Sequence, residues 1–147
     1  MVKLRVLAGT LVAFLAMSIA VFALSVAPWF ALGVDGVLKP GVFDTRPAFD
    51  AYAVFVGILG ALFAGWLCAR ISRSKSAVLL LALLACAGGF VNALAQSRKP
   101  DPGPREARVT VTQAIAIRKE PAWFTLLIPV VGFVAVLMGG RSDELSE

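Results

Sequence analysis

Four stretches of this chain, at about 6–27, 49–69, 76–95 and 122–140, contain no Asp, Glu, Lys or Arg except Asp50 at one boundary. Each is close to the ~20 helical residues that cross a hydrocarbon core of about 30 Å. Backbone N–H and C=O groups find no water in lipid, so each run is expected to satisfy them internally, as an α-helix. The expected fold is an all-α integral membrane domain over 1–147, with four transmembrane helices in a compact bundle. Composition points the same way, because 59% hydrophobic residues in 147 is more than a soluble domain of this size can bury.

The first run shares features with a secretory signal: Lys3 and Arg5 precede it, and Ser25-Val26-Ala27 resembles a cleavage site. Its length, and Pro28 directly after that site, favour a retained helix.

Two long connections are expected, 28–48 and 96–121, with a short turn at 70–75 between the second and third spans. The first holds Gly33, Gly36, Pro40, Gly41 and Pro47, and reads as turns over the membrane surface. The second opens on QSRKPDPGPREAR, whose prolines between Lys99 and Arg105 predict extended, hydrated backbone. Its continuation, ARVTVTQAIAIRKEP, fits two structures. Val109, Val111, Ile115 and Ile117 have the period of a strand, whereas Thr110 or Thr112 before QAIAIRKE, stopped by Pro121, fits a short interfacial helix. A strand would need a partner, so the helix is preferred.

With four spans, both termini lie on one side. That side carries Lys3, Arg5, Arg70, Arg73, Lys75 and Arg141; the other carries Lys39, Arg46, Arg98, Lys99, Arg105, Arg108, Arg118 and Lys119. The plain count does not obey the positive-inside rule, but the density of basic residues close to the spans places the termini in the cytoplasm. Trp29, Tyr52 and Trp123 mark a common interface on the long-loop side.

Association of helices in lipid depends on small residues that let backbones approach. The first run has Gly9, Ala13, Ala16, Ala20, Ala23 and Ala27 at heptad-like spacing, and the second has Ala53, Gly57, Ala61, Ala64 and Cys68, widened by Gly60 and Gly65. The third offers Ala82, Ala85, Gly89, Asn92 and Gln96; the fourth offers Gly132, Ala135 and Gly139 after Pro129, which is expected to kink it. These faces either pack on one another or, over Gly57 to Gly65, dock a neighbouring protein. Asn92 is expected on the packing seam, bonded to another helix with Ser18 or Ser25 as partners, or bordering a ligand groove near Pro129.

The chain has no histidine, and its two cysteines, Cys68 and Cys86, fall at different depths, about 15 Å apart along the membrane normal. They are expected as buried thiols, without a disulfide. No catalytic residues and no metal or cofactor site are anticipated, with bound lipid the one ligand considered. Asp35, Asp44 and Asp50 are read as solvated loop residues. Basic excess on a membrane chain points to headgroups, and nucleic acid is not an expected partner. Arg98, Lys99, Arg105 and Arg108 are expected to contact anionic headgroups or an acidic partner surface.

Pro121-Ala122-Trp123, Pro129-Val130-Val131-Gly132 and Leu137-Met138-Gly139-Gly140-Arg141 resemble the closing helix of small four-span inner-membrane proteins in GC-rich bacteria. The resemblance covers the last helix and implies architecture and a bacterial origin. The expected function is a non-catalytic accessory, scaffold or assembly subunit bound to other integral membrane subunits. The competing reading is a small transporter or lipid-handling protein.

Overall fold

The computed structural model describes residues 2–105 and 108–141, with side chains for all of these except residues 2 and 3. Lys3, counted above among the basic residues of the N-terminal side, has its side chain outside the described residues, as does the segment 142–147. The helices are α1 (Val2–Val37), α2 (Pro47–Ser72), α3 (Lys75–Ser97), α4 (Val111–Ile117) and α5 (Ala122–Arg141). All but α4 are long and apolar enough to cross a membrane. Only 17–28% of the most apolar window of each is buried within the chain, so most of their apolar surface faces outward. Water would not tolerate that exposure and lipid does. The chain is a multi-pass membrane protein built as a helical bundle.

α2 and α5 run parallel, because Gly57 lies beside Ile128 while Gly65 lies beside Val136. α3 runs antiparallel to α5, with Gly89 against Pro129 and Val78 against Gly140. α5 is thus held between α2 and α3, and α1 lies along the other side of α2. At the α2–α5 crossing the backbones touch. A Cβ built on Gly65 would collide with the carbonyl oxygen of Val136, and one on Gly139 with that of Leu62. Ala61, Ala64, Cys68, Ala77, Val78, Leu81, Ala82, Ala135 and Val136 close the core beside this crossing, with Ala13 from α1.

The Gly57–Gly65 face, read from sequence as either packing or docking surface, packs inside the bundle. Gly60 faces Val21 of α1, Ala61 and Ala64 are buried, and Gly65 meets α5. Gly57 is in ordinary contact with Ile128. Gly132, expected at a packing face, has no atom within 4 Å of where its Cβ would be. On α1 the small-residue stripe packs at Gly9, Ala13, Ala16 and Ala20, but Ala23 and Ala27 are exposed.

The first helix does not stop at Pro28, and the connection of 28–48 is shorter than its prolines and glycines predict. α1 continues through Pro28 and changes direction at Gly33 (φ 69°, ψ −179°), a conformation that a side chain would strain. A helical proline leaves the carbonyl four residues earlier without its N–H. Here that carbonyl is Leu24, and the Tyr52 hydroxyl donates to it at 2.9 Å. Tyr52 thus supplies, from α2, the donor that Pro28 withholds. Tyr52→Phe is expected to cost ~1 kcal/mol in bilayer-mimetic unfolding, near the usual net value of a hydrogen bond. The loss should shrink in a Pro28→Ala background, where the backbone again serves Leu24. Equal losses in both backgrounds would show that the two residues are not coupled.

Candidate functional site

At the long-loop end the two connections fold together into a small cap. Trp29, Val37, Leu38, Phe43 and Phe49 bury one another, with Ala114 entering from α4. The rings of Trp29 and Phe49 meet edge to face, 5.8 Å between centroids. Backbone bonds join the connections: Lys119 N–H donates to Phe43 C=O at 2.9 Å, Thr45 N–H to Lys119 C=O at 3.3 Å, and Arg105 N–H to Gly41 C=O at 2.8 Å. The first connection does offer a partner for extended chain, at Asp44 opposite Lys119, but only as an isolated bridge beyond the helix.

The segment 111–117 is helical because Thr110 and Gln113 form a reciprocal capping box. Its Ala114 packs into the cap. Of the interface residues, Trp29 is completely buried in the cap and is not a headgroup anchor. Tyr52 is half-buried on Leu24, and Trp123 remains 56% exposed. Asp50 is also not a solvated loop residue: it is 3% exposed and accepts from the Thr45 hydroxyl at 2.6 Å, in the first turns of α2. The positive end of the helix dipole favours a carboxylate there.

The basic residues of the cap mostly have structural work within it. Arg105 is not available to a headgroup: its guanidinium pairs with Asp35 and its side chain is 11% exposed. Arg118 pairs with Glu120 at 2.8 Å and lies over the Trp29 ring, 5.9 Å from the centroid. Arg46 donates to Leu38 C=O at 2.9 Å and Lys99 to Ala116 C=O at 3.2 Å. Arg98 and Arg108 are exposed and, among the described residues, carry no side-chain hydrogen bond or ion pair.

The third span holds the largest departure from expectation. Its inward seam is Ala82, Ala85, Gly89 and Ala93, and Asn92 lies outside it, exposed. Its amide makes no hydrogen bond among the described residues, with neither Ser18, which bonds back to Phe14 C=O, nor Ser25. A helix turns about 100° per residue, which leaves Ala93 roughly 20° and Asn92 roughly 80° from the line through Ala82. Ala85, on the seam, is itself roughly 60° from that line, so Asn92 lies at the seam's outer edge. Asn92 shares an outer strip with Gly88, beside which nothing lies within 4 Å, and exposed Ala95. Pro129 is buried with its ring against Gly89, whereas Asn92 is exposed.

Cys68 and Cys86 are both free thiols, and the described residues contain no group of three or more metal-ligating side chains. What the arrangement offers is two surfaces, an ordered cap and the strip around Asn92. Comparison with protein-family models, with curated proteins and with solved structures finds no match to this chain.

Proposed function

We propose that this chain is a non-catalytic accessory, scaffold or assembly subunit of a larger membrane protein complex, docked to another integral membrane subunit through the outer strip of α3. The observation that carries the reading is the exposed, unbonded amide of Asn92 about five residues, or ~8 Å, inside the end of α3. An amide left without a partner in hydrocarbon is costly, and a neighbouring helix can satisfy it. Gly88 and Ala95, on the same strip, would let that helix come close. The small residues of α2 at Gly60, Ala61, Ala64 and Gly65 offer no equivalent surface, because they are packed inside the bundle.

The membrane is a bacterial inner membrane in this reading, in keeping with the resemblance of the last helix. The termini are cytoplasmic and the cap lies outside. In support, four of the eight cations on that side, Arg46, Lys99, Arg105 and Arg118, are tied into the cap by Asp35, Glu120 and backbone carbonyls. Their presence follows from the architecture of the cap. Those beside the short turn lie close to the spans, where basic residues set topology, and Arg70 also lies over the Trp66 ring, 5.3 Å from the centroid.

Asn92→Leu should test the docking strip. Interhelical bonds of this kind contribute about 0.6–1.7 kcal/mol, so the variant should lower the fraction of chain in its native complex by roughly 3- to 20-fold under gentle extraction. The isolated chain should melt unchanged, because Asn92 makes no bond within it. A variant that leaves the complex intact, or that unfolds the isolated bundle, contradicts the assignment.

A further inference from the structure

Between the end of α3 and the start of α5 lies an open cleft of about 240 Å³, lined by residues that include Gln96, Ser97, Lys99, Arg118, Lys119 and Thr125. It is too small for a typical drug-sized ligand and of a size for a polar headgroup. Its charge is unbalanced: Lys99, Arg118 and Lys119 face it with Glu120 as the single carboxylate of the lining. Arg118 is committed to Glu120, which leaves the two lysines. Lys99 spends one of its three donors on Ala116 C=O, and Lys119 stands 3.7 Å from Asp101, a loose and mostly exposed pair. Ala122 also lines the cleft and opens α5, where the N–H groups of Phe124 and Thr125 donate to Pro121 C=O at 3.0 and 3.2 Å. Gln96, Ser97 and Thr125 add uncharged hydrogen-bonding groups. Next in sequence to Ala122, exposed Trp123 marks the depth of the lipid headgroups.

We propose that this cleft seats the phosphate of an anionic phospholipid headgroup, held by Lys99 and Lys119 at the membrane boundary. The assignment rests on Lys99 and Lys119 and does not depend on docking at Asn92. It also relocates the contact expected of the basic loop. Arg105 is withdrawn into its pair with Asp35, while Lys119, outside the proline-rich stretch, takes part.

The experiment is native mass spectrometry of the purified full chain in a neutral detergent, titrated separately with phosphatidylglycerol and with phosphatidylcholine of the same acyl chains. Phosphatidylglycerol should be retained preferentially. A Lys99→Gln/Lys119→Gln variant should weaken its retention roughly 30-fold, on about a fivefold loss for each lysine near the membrane surface. An Arg70→Gln/Arg73→Gln variant, altered at the opposite end of the bundle, should keep the preference. Melting curves of both variants establish that the bundle stays folded. Equal retention of the two lipids overturns the proposal, as does an equal loss in the two variants. A parallel titration with glycerol 3-phosphate separates a lipid site from one for soluble phosphate esters: competition at comparable concentration would overturn the lipid assignment.

Discussion

Gly65→Ala and Gly139→Ala will each destabilise the bundle at or beyond the top of the ~1–3 kcal/mol range typical of overpacked interiors. The added methyl group has no side chain to push aside. At Gly65 it meets the Val136 carbonyl, and at Gly139 the Leu62 carbonyl, so the α2 and α5 backbones themselves must part. Separating them also weakens the dispersion contacts that hold a bundle together in lipid, where no hydrophobic drive compensates. Gly88→Ala and Gly132→Ala are the matched controls. Neither new methyl group would have a neighbour within 4 Å, and both should leave the isolated chain at least as stable as the parent, with a gain of up to ~1 kcal/mol from helix propensity. Unfolding in mixed micelles measures all four. Helix propensity alone favours alanine at all four positions, so a gain at Gly65 and Gly139 like that at the controls would mean that backbone contact does not govern these glycines.

Trp29→Ala will remove the centre of the cap, at a cost of ~3–5 kcal/mol for a fully buried large aromatic. Trp29→Phe will cost far less. Among the described residues the buried indole Nε1 has no hydrogen-bond partner, so phenylalanine forfeits area but no bond, and it removes an unsatisfied donor. The two variants should also separate cap from bundle. Amides bonded across the connections, at Lys119, Thr45 and Arg105, should lose protection from hydrogen exchange in Trp29→Ala, while those at the Gly65–Gly139 crossing should keep theirs. A simultaneous loss in both regions would make the cap and bundle one cooperative unit.

The spans were legible in the sequence because lipid imposes a simple demand, about twenty uncharged residues with internally satisfied backbone. The cap was not, since its order comes from pairing between residues far apart in the chain, such as Phe43 with Lys119 and Asp35 with Arg105. Pro28 reads locally as a helix terminator, and only the Tyr52 hydroxyl of another helix makes it tolerable. Trp29 has the composition of an interfacial anchor, yet α1 runs on and carries it under Phe49 and Arg118. Asn92 was not separable from the seam by sequence: a rotation of about 100° per residue puts it only ~20° beyond Ala85, which does lie on the inner face. The small residues of α2 were read as either interior or docking surface, and position in the bundle, which one sequence does not reveal, separates the two.

An accessory subunit should not leave the membrane alone. The most direct test is the mass of the particle released from native membranes by several mild detergents, with the chain at its natural abundance. A discrete complex containing this 15.5 kDa chain and at least one other integral membrane protein in fixed ratio is the predicted result. A monomer in every detergent, with Asn92 still unpartnered, would contradict the account.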